Sequence, residues 1–408
     1  MKITFRLCAL LLAMLLCCSC LTACGKAPAS TPDPNPDTGE HTDDPNQDLQ
    51  NNQGNNQGNN QGNSQDNSQG NTETAPSIQP MFLYDGENLL RLKSDGKITA
   101  DGFTSAFLWK NYSAVVSVGM NSHCAYVLTE GGGLHLTGSN KKGMLCDEDL
   151  TKTYTEAHRI LVSQFGSSTV LHFAMSETLC VALTQDSLYA WGEFCDNTKW
   201  GDASLPWEGI TATPVKLDLP QGITPQDVTD LWAGEDGFWL SAKGNCYHLG
   251  HTISVSNDGT ASIVTEFNGS FYNSGEGVKA RQGNTFTLYL KDDGTVFVEG
   301  TPGFKDLYHY DDELFSEPVE KEVWLYTPVA IRDIAVYESG AALLGEDGSV
   351  YVIGKLGKNT YSTLQRVIVP APMSYVSLNA YGLMMANADA GFDYSYAKLS
   401  SALRPVFN

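Results

Sequence analysis

Three residues of metal-ligand type, Cys246, His248 and His251, lie close together in the 408-residue chain. Thiolate and imidazole groups are ligands that zinc prefers, so their spacing decides whether they can form a site. Cys246 and His248 are two residues apart in a strand-like segment and therefore share one face of it. His251 follows Gly250, where the chain must leave that strand. We therefore predict that these side chains belong to the core or rim of the fold, and we predict no metal site.

The segment Asp292-Asp293-Gly294-Thr295-Val296-Phe297 resembles the Asp-box hairpin of sialidases. Related hairpins elsewhere in the chain do not support that resemblance, and the arginine triad of sialidases is not recognisable. We predict that these carboxylates shape a turn. The chain also contains no glycine-rich phosphate loop, no Gly-x-Ser-x-Gly elbow and no zinc-protease His-Glu motif. We therefore predict no catalytic residues and no cofactor for this chain.

Aromatic and acidic side chains cluster in the connections between strand-like segments. Aromatic residues on such connections stack on sugars or anchor a protein partner. Packing inside the fold uses the same residue types, so each residue taken alone has both interpretations. Taken together, ten residues form the predicted binding surface: Trp109, Tyr112, Trp200, Trp207, Tyr308, Tyr310, Asp311, Asp312, Trp324 and Tyr326.

The first 23 residues predict export. A short basic segment precedes an apolar run from Leu7 to Leu16. That run is shorter than the roughly 20 residues of a membrane-spanning helix and fits a signal peptide. It ends in Leu21-Thr22-Ala23-Cys24-Gly25, which resembles the bacterial lipobox, where a cysteine is diacylated before cleavage. The resemblance implies a signal peptide over 1–23, lipid on Cys24 and a location on the extracytoplasmic face of the cell membrane. An ordinary signal peptide is the alternative.

Residues 24–79 predict a disordered tether behind the lipidated cysteine. Asn-Asn-Gln-Gly repeats lie between Asn51 and Gly62, and large apolar residues are almost absent, so the segment cannot offset its ordering entropy. A coil of about 50 residues spans on the order of 40 Å. The whole chain is acidic, with 47 Asp and Glu against 25 Lys and Arg. This charge repels nucleic-acid backbones, so we predict no nucleic-acid partner, and we expect a monomer.

Five cysteines lie outside the signal region, and their spacing shows no disulfide framework. A domain of this size is stabilised by its own core. We expect mostly buried thiols that behave as apolar side chains, and a single disulfide among them is the alternative. The five are Cys124, Cys146, Cys180, Cys195 and Cys246.

Residues 80–408 predict an all-β domain, because aromatic and β-branched residues alternate with polar ones between Gly and Asp-Gly turns. Only Asp149 to Val162 suggests a short helix. An apolar strand precedes each of six windows that end in glycine: KSDGKITADG (93–102), TEGGGLHLTG (129–138), LTQDSLYAWG (183–192), SAKGNCYHLG (241–250), KDDGTVFVEG (291–300) and GEDGSVYVIG (345–354). The third window has Asp186 where the others have a turn glycine, and we expect a left-handed conformation there. A repeat of about 50 residues indicates propeller blades.

The repeats resemble the regulator of chromosome condensation family over about residues 81 to 370. Ala233-Gly234 precedes the fourth hairpin, and Trp191-Gly192 closes the third window. The segment from Gly138 to Leu145 follows the family's Asn-containing loop, with Cys146 where glycine is usual. The resemblance implies a β-propeller, commonly with seven blades. The family's small-GTPase and nucleosome partners are not expected for an acidic, exported chain, and the fold alone establishes no function.

The two ends of the repeat region determine the number of blades. The first unit, Met81 to Phe103, is short by one strand, and the last, Tyr375 to Leu399, lacks a turn glycine in phase. These units form two partial blades of a seven-bladed ring, which we favour, or join into one blade of a six-bladed ring.

Three functions are compatible with these features. A repeated scaffold with irregular connections and no catalytic motif favours a cell-surface recognition module that binds a protein or a glycan. An extracellular carbohydrate-active hydrolase is the alternative, with carboxylates such as Asp311 and Glu313 in the mouth of the channel. A structural envelope protein without a discrete ligand is the third possibility.

Overall fold

The computed structural model describes residues 78–112, 114–194, 209–234, 237–250, 252–255, 261–264, 271–300, 302–309 and 323–407. The predicted signal peptide, Cys24 and nearly all of the predicted tether lie outside these residues. Within the described part of the chain, no helix has the length and apolar character that crossing a bilayer requires.

Seven antiparallel sheets follow one another along the chain and form the blades of a β-propeller. The prediction of an all-β fold with seven blades is therefore confirmed. Blades 2 and 3 contain four strands each: β4 (Val115–Met120), β5 (Cys124–Thr129), β6 (Leu134–Ser139) and β7 (Thr153–Ile160), then β8 (Val170–Met175), β9 (Leu179–Thr184), β10 (Leu188–Glu193) and β11 (Ile210–Leu217).

Blades 4 to 6 carry additional strands. Blade 4 contains β12 (Val228–Ala233), β13 (Gly237–Ala242), β14 (Asn245–Gly250) and β17 (Tyr272–Glu276), with a separate hairpin of β15 (Thr252–Val255) and β16 (Ala261–Val264). Blade 5 contains β18 (Lys279–Gln282), β19 (Phe286–Leu290), β20 (Val296–Gly300), β21 (Leu307–His309) and β22 (Val323–Leu325). Blade 6 contains β23 (Ile331–Tyr337), β24 (Gly340–Gly345), β25 (Val350–Leu356), β26 (Asn359–Val367) and β30 (Leu403–Pro405).

The first and last blades have three strands each. Blade 1 contains β1 (Met81–Tyr84), β2 (Leu89–Leu92) and β3 (Ile98–Asp101), and blade 7 contains β27 (Tyr375–Asn379), β28 (Gly382–Ala386) and β29 (Gly391–Ser395). A 3-10 helix, Gly102–Trp109, follows β3 and packs between it and blade 2. Helix α1, Tyr396–Ala402, follows β29, after which β30 pairs with β26 of blade 6. Both end blades therefore have a helix where a fourth strand would follow.

Blades 1 and 7 meet through direct hydrogen bonds. Asn379 Nδ2 donates to the Tyr84 carbonyl at 3.0 Å, and Ser94 Oγ donates to the Ala388 carbonyl at 3.2 Å. The side chain of Arg91 also donates to the carbonyl of Asp389. These bonds close the ring between its first and last blades.

The second strand of each blade is the most completely buried one. In β9, β13 and β24 every residue is buried, because neighbouring blades cover both faces of the sheet. The apolar runs that precede the six windows are these second strands, so the predicted hairpins are confirmed. Large side chains also join the blades: the Trp191 indole Nε1 of blade 3 donates to the Met144 carbonyl of blade 2 at 2.8 Å.

The glycine that ends a window lies where two backbones approach closely. Gly138 has a φ of 113°, and a Cβ there would lie 2.1 Å from the carbonyl oxygen of His123. The turn position is less uniform than predicted. Asp186 does not have a positive φ, because blade 3 has a shorter turn, closed by a bond from Thr184 N to Ser187 O at 2.8 Å. A left-handed residue is not required there, so this expectation was wrong.

The segment from Asp149 to Val162 contains a strand where we expected a short helix. Residues 153–160 form β7, which pairs with β6 from Ser139↔Thr153 to Leu134↔Ile160. Pairing with the neighbouring strand outweighs the weak helical preference of this segment. Before it, buried Asn140 organises the loop that the family resemblance identified. Its Oδ1 accepts from Leu145 N, and its Nδ2 donates to two carbonyls, those of Asp147 and Asp149.

The propeller has two ends, which we name by their connections. Strands alternate in direction within a blade, so all connections of one kind leave from one end. The lower face carries the turns between second and third strands and the connections from one blade to the next. The upper face carries the turns between first and second strands and the connections between third and fourth strands.

Candidate functional site

Only part of the predicted aromatic surface lies within the described residues. Trp109 follows blade 1 on the lower face and is 87% exposed, and Tyr326, on the connection from blade 5 to blade 6, is 57% exposed. Trp200, Trp207, Tyr310, Asp311 and Asp312 lie outside the described residues. Tyr308 lies in β21, opposite Trp324, and only its backbone is described.

Three of the predicted residues have contacts within the fold, and one of them is Tyr326, whose ring centroid lies 4.8 Å from that of Phe407. The Tyr112 hydroxyl is buried, and its ring packs edge-on against His135 with centroids 4.9 Å apart. Burial raises the pKa of Tyr112 to about 12. Trp324 contacts Phe297 at 5.8 Å and lies under the Lys291 ammonium group at 4.8 Å. Tyr112 is therefore not a freely available contact residue, and Trp324 is only partly available.

The lower face carries most of the exposed large apolar side chains. Eight such side chains occur in the described residues, and five of them lie on connections between successive blades. Only two, Ile210 and Tyr381, lie at the upper face. The five are Leu108, Trp109, Leu161, Tyr326 and Ile368. Apolar side chains repeated along one end of a scaffold are typical of a surface that contacts another macromolecule.

The central channel is a second candidate site. The first strands of all seven blades line it, and they enclose a cavity of about 430 Å³. Two ion pairs lie in this channel. Arg281 binds Asp230 through two parallel bonds, Nη1 to Oδ2 at 2.6 Å and Nη2 to Oδ1 at 3.1 Å. Lys279 Nζ lies 2.6 Å from Asp333 Oδ1.

The channel pairs are poorly exposed. The side chains of Arg281 and Asp230 are 15% and 17% exposed, and the Arg281 guanidinium also lies 5.7 Å from the Trp232 ring. Burial acts to raise the pKa of Asp230, but Arg281 and Lys279 outweigh it and hold that pKa below the ordinary carboxyl value. The carboxylate of Asp230 is therefore ionised at neutral pH and held in an ion pair.

Neutral polar groups complete the channel wall. Burial lowers the pKa of His172, which the charge of Asp230 only partly opposes, so the imidazole is neutral at pH 7. Burial also raises the pKa of Tyr375 and of Tyr126. A general acid requires a carboxyl pKa near the working pH, and the Asp230 shift is in the opposite direction. The channel groups described here do not support the hydrolase hypothesis, and Asp311 and Glu313, which it invoked, lie outside the described residues.

The residues of metal-ligand type are partly described. Cys246 and His248 are both buried in β14, and the His248 ring stacks on Trp239 with centroids 4.0 Å apart. His251 lies outside the described residues. No group of three metal-ligating side chains occurs in the part of the chain that the structure describes.

The carboxylate of Asp293 shapes a turn, as predicted for the segment that resembles an Asp-box. Its Oδ1 accepts from Thr295 N at 2.9 Å and from Thr295 Oγ1 at 2.7 Å. Asp347 makes equivalent bonds to Ser349 in blade 6.

The described cysteines are not paired in disulfides. Cys124, Cys180 and Cys246 are buried and Cys146 is half-buried, as expected for thiols that pack as apolar side chains. Cys195 lies outside the described residues.

Sequence reasoning missed the channel ion pairs. Lys279 and Arg281 are separated by one residue in β18, while Asp230 and Asp333 lie in β12 and β23 of the two neighbouring blades. The available signal was the occurrence of charged residues within the first strands of the repeats. That pattern identifies a polar channel once the innermost strands are known.

No protein-family model matches the chain, and a search of curated proteins finds no match. Solved structures do match. Prp20p from Saccharomyces cerevisiae, described with its binding to Gsp1p and histones, is 19% identical with a TM-score of 0.52, over 69% of this chain and 73% of that one. Yeast RCC1 (Prp20) bound to Kap60 is 17% identical with a TM-score of 0.55, over 79% of this chain and 81% of that one. Human WBSCR16 is 20% identical with a TM-score of 0.50, over 67% of this chain and 71% of that one.

These structures share the fold of the chain at low sequence identity. Their similarity agrees with the seven-bladed propeller described above. The chain therefore has the β-propeller fold of the regulator of chromosome condensation proteins, the fold that the resemblance of its repeats implied.

Proposed function

We propose that this protein is a recognition module, held by lipid on Cys24 at the extracytoplasmic face of the membrane, that binds a protein partner through the lower face of its propeller. The observation that carries this proposal is the placement of five exposed large apolar side chains on the connections between blades. Buried aromatic and aliphatic anchors supply most of the binding energy in protein interfaces, and Trp and Tyr are the most frequent of these.

Two further observations support binding as the function. The carboxylates of the channel are occupied by Arg281 and Lys279, which favours a structural or recognition role for them. Proteins of the same fold bind other proteins: yeast Prp20p is described as binding Gsp1p and histones, and it has been solved with Kap60. The partner of this chain is a different protein, because the chain is acidic and carries a predicted export signal.

Cross-linking of the full chain on intact cells, with mass spectrometry of the captured proteins, tests this proposal. A lower-face variant combines Trp109→Ala, Tyr326→Ala and Ile368→Ser, and a matched upper-face variant combines Ile210→Ser and Tyr381→Ala. We expect a reproducible partner that the lower-face variant loses and the upper-face variant retains. Equal capture by both variants would show that the lower face is not the binding surface.

The membrane location is tested separately by cell fractionation and protease accessibility of the wild-type chain. Protection from an external protease in intact spheroplasts would contradict an extracytoplasmic location, whatever the outcome of cross-linking.

A further inference from the structure

A second, smaller cavity lies between blades 4 and 5. It has a volume of about 220 Å³, and residues of β13, β17, β18, β19 and β20 line it. Pockets for drug-sized ligands begin at about 300 Å³, so this cavity suits a smaller molecule. A single sugar ring has about this size. The walls are strands of two packed blades, so the groups that line the cavity are held in fixed positions.

One wall of this cavity contains a buried donor without an acceptor. Trp239 is 3% exposed, and among the described residues no group accepts a hydrogen bond from its indole Nε1. The ring is fixed by parallel stacking on His248, with 12° between the planes. A buried donor that is left unpaired is costly, so an acceptor oxygen placed there would be bound favourably.

Other polar groups with unused hydrogen-bonding capacity face the same cavity. Within the described ranges, the Gln282 amide and the Thr287 hydroxyl form no hydrogen bond, and both residues line the cavity. Glu299 also lines it, and its Oε2 accepts from the Tyr289 hydroxyl at 2.8 Å. The second carboxylate oxygen is available as an acceptor. The cavity therefore offers an indole donor, an amide that both donates and accepts, a hydroxyl and a carboxylate acceptor.

We propose that this cavity binds one neutral pyranose ring, either a free monosaccharide or the terminal residue of a glycan. Sugar hydroxyls both donate and accept, so they match the mixed set of Trp239, Gln282, Thr287 and Glu299. An anion is disfavoured because the only charged side chain among the lining residues is a carboxylate. This site is separate from the lower face and does not depend on the proposed protein partner.

The test is binding of methyl glycosides to the full chain, followed by saturation-transfer NMR and titration calorimetry. The probes are the methyl glycosides of glucose, galactose, mannose and N-acetylglucosamine, with glycerol as a polyol that has no ring. We expect at least one glycoside to bind at a single site and glycerol not to compete. Trp239→Phe keeps the aromatic ring and removes the donor, so it weakens binding about fivefold to tenfold. Gln282→Ala has an effect of similar size.

Thr213→Val is the matched control for Thr287→Val, because it makes the same substitution at an exposed threonine of blade 3 outside the cavity, and we expect it to leave binding unchanged. Thermal melting of each variant checks the fold. If Trp239→Phe fails to fold, Gln282→Ala and the nearly isosteric Thr287→Val decide the question. Failure of all four glycosides to bind the wild-type chain would overturn the proposal. The proposal would also be overturned if Trp239→Phe, Gln282→Ala and Thr287→Val bind the glycoside as strongly as Thr213→Val does.

Discussion

Replacing Arg281 by methionine tests the energetics of the central channel. Methionine fills much of the same volume and leaves Asp230 as a buried carboxylate without its bidentate partner. Because the two side chains are only 15% and 17% exposed, solvent compensates little for the lost charge. Breaking a buried pair by removing one partner costs about 3–5 kcal/mol, so we expect a loss of that size in the free energy of unfolding at pH 7.

The pH dependence of this loss has a defined sign. In the wild type the pKa of Asp230 is lowered, so the pair stabilises the fold above the unfolded carboxyl pKa, and this contribution is lost as pH falls through the folded pKa. Without Arg281, Lys279 is left as the main group opposing burial, so the folded pKa of Asp230 rises relative to wild type and the stabilisation above the unfolded carboxyl pKa is reduced. The destabilisation relative to wild type is therefore larger at pH 7 than at pH 4.

Urea unfolding of the full chain, followed by tryptophan fluorescence at both pH values, measures these differences. The double variant Asp230→Asn with Arg281→Met removes the unpaired charge and should recover most of the stability. Lys97→Met is the control, because it breaks an ion pair whose side chains are 77% and 48% exposed, and no measurable loss is expected. A loss for Arg281→Met below about 1 kcal/mol at pH 7, or a double variant no more stable than the single one, would refute the reasoning.

Three other outcomes are expected. Cys24→Ala should release the protein from the membrane fraction, and unchanged retention in fractionation would contradict the lipid anchor. Gly354→Ala places a Cβ 2.2 Å from the Ser339 carbonyl oxygen at a φ of 89°, so it should lower the free energy of unfolding by about 3 kcal/mol. Gly222→Ala has a φ of 79° but open space around the Cβ, so it should lower that free energy by only about 1 kcal/mol. Equal urea midpoints for the two variants would contradict this. Burial raises the pKa of Cys124 to about 12 and of Cys246 to about 11, so neither thiol should react with Ellman's reagent at pH 8 until the protein is unfolded; rapid labelling of the native protein would show that they are accessible.

The hairpins of the propeller were predictable from the sequence because each forms from consecutive residues. A second strand such as β9 or β24 reads as a continuous apolar run, and the turn and terminal glycines follow it at fixed positions. The exception at Asp186 arises from a turn one residue shorter, which an ungapped alignment of windows cannot reveal. The end units were recognisable as irregular, because the first is short by one strand and the last lacks a turn glycine in phase, but the sequence left open whether they form two blades or one.

The candidate sites were less predictable because they depend on residues from different blades. Asp230, Arg281 and Asp333 are about 50 residues apart, and only closure of the ring brings them together. Exposure of aromatic residues depends on their neighbours in a similar way. Trp109 and Tyr112 are three residues apart in one connection, yet the first is exposed and the hydroxyl of the second is buried.

The way the ring closes has a consequence for the order of folding. Each sheet of blades 2 to 5 forms from one continuous stretch of sequence, so its strands can pair after only short loops have closed. The contacts between blades 1 and 7 join residues separated by about 300 positions, such as Asn379 and Tyr84 at a separation of 295. Closing a loop of this length in the unfolded chain would lose much conformational entropy. Formation of the intervening blades reduces that loss, because it brings blades 1 and 7 closer together. We therefore expect the individual sheets to form first, and the contacts between blades 1 and 7 to form in the last and slowest step.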